Sequence, residues 1–390
     1  MYPRDLTIKL KSAATQFPIV SLLGPRQAGK TTLAKETFPE YKYVSLEDLD
    51  NRAFAEDDPR NFLTTYSNGE GVIIDEIQHV PSLFSYLQTH VDTTQLVGKF
   101  VLTGSQNFLL NEKISQTLAG RVAIFTLWPL SIDELKRVDK LPRHYEALLF
   151  SGCYPRIYAQ EMLATDWYPN YIRTYLERDV RQIQNIGDLR HFQTFMKLCA
   201  GRVGQMLNLS DLARDCGIAP NTAKAWISIL EASYIIFLLS PHHANFNKRL
   251  IKSPKLYFCD TGLCCSLLGI ESESQISSHY LRGGLFEALI ISEMIKKRLN
   301  LGLVPNVYFW RDQVGHEIDC IYENGSKLTP IEIKSAKTIK QDFFSDLEYW
   351  CKLAGLDPES AVLIYGGDEL QKRKHARVLG WQHTAEILSV

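Results

Sequence analysis

The sequence lacks any excess of charge: 43 Lys and Arg stand against 44 Asp and Glu, a formal net charge of -1 over 390 residues. No global field draws such a chain onto nucleic acid, so binding of that kind has to come from local basic patches. Long apolar runs are missing too. The longest, such as residues 234–239, fall far short of the roughly 20 residues that cross a bilayer. The opening MYPRDLTIKLKS has no apolar stretch of the signal-peptide kind, and a soluble cytoplasmic protein without membrane contact is expected. The eight cysteines are scattered, with one cluster at Cys259, Cys264 and Cys265 and no C-x-x-C pair of the zinc-site type, which points to reduced thiols. Gly and Pro are not enriched and no repeat or low-complexity tract is present, which excludes a disordered chain. Hydrophobic residues at 45% and a length of 390 residues call instead for two or three globular domains.

Short apolar runs alternate with helical stretches over the first third: PIVSLLG, a helix from Lys30, then YKYVSLE, GVIIDEI and KFVLTGS. That rhythm predicts an α/β domain over residues 1–130, a parallel sheet with helices on both faces. Residues 131–202 turn helical, with i, i+3, i+4 apolar spacing as in YIRTYLERDVRQI, and read as a lid or connector. Over residues 203–275 the order is helix, glycine turn at Gly217, helix from Pro220, then the strands YIIFLL and KLYFC. The last stretch, 276–390, opens with the helix LFEALIISEMIKKRL and continues with strands VYFWRD, HEIDCIYE and LTPIEIKSA.

Gly24-Pro25-Arg26-Gln27-Ala28-Gly29-Lys30-Thr31 fits G-x-x-x-x-G-K-[ST] after an apolar strand and at the start of a helix that continues with Thr32. At average frequencies that pattern arises by chance in roughly one chain of this length in a hundred. The loop's backbone N–H groups and the helix N-terminus surround phosphates, Lys30 reaches the β- and γ-phosphates, and the Thr31 hydroxyl ligates magnesium. ATP and Mg2+ are the expected ligands. Val72-Ile73-Ile74-Asp75-Glu76 is an apolar strand ending in two carboxylates, which successive strand positions direct differently: Asp75 towards the metal, Glu76 towards the attacking water. The strand end at 100–107 offers Ser105 and Asn107 as groups that sense the γ-phosphate or help hold the attacking water, with a capped turn as the alternative. Arg121, in LAGR, is a candidate for stabilising transition-state charge in its own subunit or a neighbour's, against an ordinary salt bridge.

The phosphate loop, the DE strand end, LTGS, LAGR and the helix carrying YLERDV together resemble the AAA+-type ATPases of the AAA_14 group, with the DUF4143 region as their C-terminal half. The resemblance covers nearly the whole chain. It implies an ATPase core at 1–130, a winged-helix segment at 203–275 and a restriction-endonuclease-like α/β domain at 276–390, in a homo-oligomer.

Residues 209–231 have the helix-turn-helix pattern, with Ser210 as N-cap. The second helix carries Lys224, and the following stretch from Ala232 to Cys259 has no acidic residue but holds Lys248, Arg249, Lys252 and Lys255, as a phosphate-contacting wing does. A purely structural bridge is the alternative. Farther on, Asp319 lies in one strand, Glu332 and Lys334 share a face of the next, and Glu287 lies on the helix upstream. That order resembles the PD-(D/E)XK nucleases, with Asp319 and Glu332 as magnesium ligands and Lys334 orienting the nucleophile. An E-x-K triplet is expected about once in such a chain, and Glu134-Leu135-Lys136 is a second copy; only the copy at 332 sits in a strand beside a carboxylate. The expected function is an ATP-driven machine acting on DNA, branched or structured forms included, with metal-dependent cleavage or binding alone by the nuclease-like domain. The alternative is a regulatory ATP switch that binds a protein partner.

Overall fold

Five short strands from the first 130 residues form one parallel sheet: β1 (Ile19–Leu23), β2 (Lys42–Ser45), β3 (Val72–Asp75), β4 (Phe100–Gly104) and β5 (Val122–Thr126), in the order β2-β3-β4-β1-β5. β1, β3 and β4 are buried along their whole length, which is why they read as unbroken apolar runs, whereas the edge strands β2 and β5 carry exposed positions. Helix Lys30–Thr37 and the N-terminal helix Thr7–Ala14 cover one face, where Leu6, Leu10, Leu33, Val20, Ile73 and Val101 share a core. Because β4 lies between β1 and β3, its end falls between the phosphate loop and the DE pair. In such sheets ligands bind at the carboxyl ends of the strands. A computed structural model describes residues 2–67, 69–105, 117–176, 189–243 and 252–389.

The chain divides into two units, the first made of Met1–Leu130, Ala232–Tyr234 and Arg298–Leu303, the second of Ser131–Glu231, Ile235–Lys297 and Val304–Val390. The second unit opens with helix Ile132–Arg137, closed by a capping box in which Ser131 and Glu134 bond each other's backbone. Glu134 is thereby occupied, so the spare E-x-K copy has a structural role. Asp260 is fully buried: it caps helix Thr261–Leu267 and accepts from the Tyr168 hydroxyl at 2.6 Å and the Cys153 amide at 2.7 Å.

Helices Leu209–Cys216 and Pro220–Ala232 meet at Gly217, whose φ of 70° is the left-handed conformation that ends the first helix. The cap is Asn208, not Ser210 as expected: the Asn208 side chain accepts from the amides of Ser210 and Asp211 at 3.1 and 3.2 Å. Beside these helices, β6 (Gln205–Met206), β7 (Ile236–Leu239) and β8 (Lys255–Phe258) form an antiparallel sheet in the order β6-β8-β7.

After helix Arg282–Asn300 come β9 (Val307–Arg311), β10 (Glu317–Asn324) and β11 (Lys327–Lys334), an antiparallel meander. β12 (Val362–Tyr365) then runs parallel to β11, a connection that needs a crossover, and helix Ser345–Ala354 supplies it. β13 (Gln371–Lys372) and β14 (Arg377–Gly380) complete the order β13-β14-β12-β11-β10-β9. Trp310, Ile318, Leu347, Trp350 and Leu363 form the core under the crossover helix. All eight cysteines are buried and none is in a disulfide. No described helix is long and apolar enough to cross a membrane.

Candidate functional site

The phosphate loop closes on itself. Gly24 has φ 144°, and a Cβ there would run into the Leu127 carbonyl oxygen, so both the turn and the close approach require glycine. Gly29, at φ 93°, starts helix Lys30–Thr37, and the amino group of buried Lys30 donates to the carbonyls of Gly24 and Pro25, each at 2.9 Å. Arg4, which sequence reading passed over, ties the loop from behind by donating to the Ala28 carbonyl at 2.8 Å and the Trp128 carbonyl at 2.6 Å. Pro25 and Ala28 are buried, Gln27 and Thr32 are exposed, and Arg26 pairs with Glu47 at 3.8 Å.

Across the sheet edge the loop meets Asp75. The Thr31 hydroxyl donates to its two carboxylate oxygens at 2.9 and 3.1 Å, Tyr43 donates at 2.9 Å, and the Thr103 hydroxyl contacts the same carboxylate from β4. Burial, and then the Asp75 charge, push the Tyr43 phenol up to about 12, so Tyr43 stays a donor. Neither Tyr43 nor Thr103 was anticipated. Thr103 had a signal, a hydroxyl in an otherwise apolar strand, whereas Tyr43 depends on the β2–β3 register, in which it lies beside Ile73.

Glu76 departs from expectation in how it is aimed. β3 ends at Asp75, and Glu76 turns away in the left-handed region, φ 55° and ψ 49°, an uncommon conformation for a non-glycine residue. Strand alternation therefore does not separate the two carboxylates; a backbone turn does. The Glu76 carboxylate accepts from the Gln78 side-chain amide and from the Ser105 hydroxyl at 3.2 Å. Ser105, expected at the γ-phosphate or the attacking water, lies against Glu76. Asn107 lies outside the described residues.

Arg121 is half exposed and forms a two-pronged pair with Asp92, at 2.5 and 2.8 Å. Its carbonyl accepts from the Ile19 amide, so it sits at the start of β1, the end opposite the phosphate loop. Five strand residues, at about 3.3 Å each, separate those ends. A role for Arg121 at its own subunit's nucleotide is therefore corrected by sheet geometry.

The second unit brings Asp319, Glu332 and Lys334 together. The Lys334 ammonium contacts Glu332 and lies 3.8 Å from Asp319, whose carboxylate accepts from the Ile333 amide at 2.8 Å. The β9–β10 register shifts between Ile318 and Ile321, a bulge that surrounds Asp319. Glu332 is only 4% exposed, and its Oε2 has no hydrogen-bond partner among the described residues. Burial, reinforced by Asp319, pushes its carboxyl well above the usual range. No group of three His, Cys, Asp or Glu side chains suited to a metal is present among the described residues.

Glu287, from helix Arg282–Asn300, pairs with Lys255, and the Asp319 charge acts on both. Lys255 was expected on an exposed wing; it is 3% exposed, 2.9 Å from Glu287 and in contact with Glu317, so it has no face to offer a phosphate. Lys224 and Lys252 are exposed, and Lys248 and Arg249 lie outside the described residues.

Family models match three stretches: an AAA domain over residues 16–136, a domain of unknown function (DUF8612) over 142–274, and a domain of unknown function (DUF4143) over 282–383. An uncharacterized protein of Mycobacterium bovis and one of Mycobacterium tuberculosis are each 32% identical over 343 residues, 86% of this chain and 74% of theirs. Among solved structures, a Walker-type ATPase of Pyrococcus abyssi aligns over 68% of this chain and 96% of its own at 15% identity, with a TM-score of 0.47. The RuvB Holliday junction branch migration motor of Thermotoga maritima aligns over 60% and 88% at 20% identity, with a TM-score of 0.33.

Proposed function

We propose that this chain, which belongs to one family with the two mycobacterial proteins and carries an AAA domain, binds ATP on residues 24–32 and hydrolyses it with Glu76 activating the attacking water. The observation that carries this reading is the division of labour at the DE pair: Asp75 faces the Thr31 hydroxyl of the loop, and Glu76 is turned away onto Ser105 and Gln78. Lys30 exchanges its two loop carbonyls for phosphate oxygens. The Thr31 hydroxyl and the Asp75 carboxylate are hard oxygen donors already side by side, a set that fits Mg2+, whose charge offsets that of the phosphates. Tyr43 and Thr103 hold Asp75, while Ser105 and Gln78 orient Glu76.

Arg121 is proposed to act only across a subunit boundary in a homo-oligomer, leaving Asp92 when a neighbour's nucleotide offers more negative charge. Mixing Arg121→Ala protein with Lys30→Ala protein is then expected to restore part of the hydrolysis each lacks alone. Mixed oligomers without rescue would reduce Arg121 to a surface ion pair.

For the second unit we propose action on DNA. The paired helices at 209–216 and 220–232 with the β6-β8-β7 sheet support a winged helix, and helix–β9–β10–β11–helix–β12 with Asp319, Glu332 and Lys334 supports a PD-(D/E)XK-type domain. The unpartnered Glu332 Oε2 and the adjoining Asp319 fit a divalent cation, which would supply charge stabilisation for a leaving oxygen. The test is the ATPase rate with and without single-stranded, duplex and branched DNA. Stimulation by one form supports the reading; indifference to all three favours the protein-partner switch. Neutralising Lys224, Lys248, Arg249 and Lys252 together is expected to weaken DNA binding and flatten its salt dependence by about one unit per lost contact. Filter binding over a salt series measures both.

A further inference from the structure

The carboxylate site of the second unit draws on more of the chain than β10 and β11. Lys255 and Tyr257, on β8, the middle strand of the three-stranded sheet, both meet Glu287, and the Asp319 charge acts on the Lys255 ammonium. The Lys255 ammonium also contacts Glu317, which in turn accepts from Arg311 at 3.1 Å. Four carboxyl groups (Glu287, Glu317, Asp319 and Glu332) meet three cations (Lys255, Lys334 and Arg311), so with every carboxyl ionised the cluster would be one positive charge short. The shortfall has a location. Glu287 and Glu317 already share a buried ammonium, whereas the atom left without a partner is Oε2 of Glu332, beside Asp319. A buried acceptor that lacks a donor, next to a second carboxylate, is where an added cation gains most.

We propose that Lys255 is a resident cation of this site, holding Glu287 and Glu317 where a second metal ion would otherwise bind and limiting the site to one divalent ion, on Asp319 and Glu332. This rests on the metal-dependent reading above. In a two-metal site, ions stabilise both the attacking and the leaving oxygen. Here one of the two positive charges is an ammonium fixed on a strand, so the site has one exchangeable cation, and Lys255 acts by positioning Glu287 and Glu317. A further consequence is that residues 142–274 and 282–383, matched by separate family models, complete one site together.

The test counts bound Mn2+ by electron paramagnetic resonance in the full-length, nucleotide-free protein carrying Asp75→Asn, so that the phosphate loop contributes no ion. One tightly bound Mn2+ is expected in that background, none after adding Asp319→Asn, and two after adding Lys255→Met instead. Losing the lysine leaves buried carboxylates unpaired and destabilises the fold. The melting temperature is therefore read in parallel, and Mn2+ is expected to raise it more in the Lys255→Met protein than in its parent, because the ion takes the lysine's place. A single ion with or without Lys255, and equal thermal shifts, would overturn the resident cation and leave the metal reading standing. No bound Mn2+ in any of these proteins would overturn the metal reading, and this inference with it.

Discussion

Glu76→Gln protein is expected to hydrolyse ATP about 10²- to 10⁴-fold more slowly than its parent, the range that general-base catalysis supplies, while binding the nucleotide equally well. The substitution keeps the side chain's size and its carbonyl oxygen, which still accepts from Ser105 and Gln78, and removes only the capacity to take a proton from water. The strained backbone at φ 55° is common to both residues, so the turn that separates positions 75 and 76 survives. Lys30→Ala is expected to do the opposite, losing nucleotide affinity itself, because the ammonium is the loop's own charge for the phosphates. Phosphate release and binding of a fluorescent ATP analogue, measured on both variants, give the order of effects. A Glu76→Gln protein that turned over ATP at the parental rate would remove Glu76 from the chemistry.

The parts of this site that were legible in the sequence are those whose geometry is local. Gly24 to Thr31 lie on one strand–turn–helix unit, so the motif and its context determine where the groups point. Asp75 and Glu76 were found for the same reason, although their separation was ascribed to strand alternation when a left-handed residue produces it. Tyr43 and Thr103 escaped notice because their approach to Asp75 depends on strand order, with β2 and β4 on either side of β3, and order is a non-local property. Arg121 shows the same limit, since nothing in LAGR reveals which end of the sheet it occupies. Lys255 is the sharpest case: a stretch free of acidic residues suggested a solvated wing, but its carboxylate partners, Glu287 and Glu317, lie more than 30 residues away. By contrast, the proximity of Asp319, Glu332 and Lys334 was legible, because a short hairpin joins β10 to β11 and side chains two apart share a face.

Asp319→Asn, Glu332→Gln and Lys334→Ala are each expected to lower metal-dependent DNA cleavage by about 10²-fold or more, the usual cost of losing one group that stabilises developing charge. The choice of substitutions follows from what each side chain holds. Asp319 accepts from the Ile333 amide at 2.8 Å, and an alanine would strand that buried donor at a cost of about 1–3 kcal/mol. Asparagine keeps an acceptor and removes only the charge. Glu332 is buried with its carboxyl pushed well above the usual range, so a neutral glutamine relieves a penalty and leaves Lys334, which is one-third exposed, free to turn to solvent. Lys334→Ala has the reverse electrostatic effect, uncovering two neighbouring carboxylates, and its melting curve is the necessary control. If the parent protein cut no single-stranded, duplex or branched DNA with Mg2+ or Mn2+, with or without ATP, the cleavage reading would fall. The same cluster would then belong to a binding module that transforms nothing.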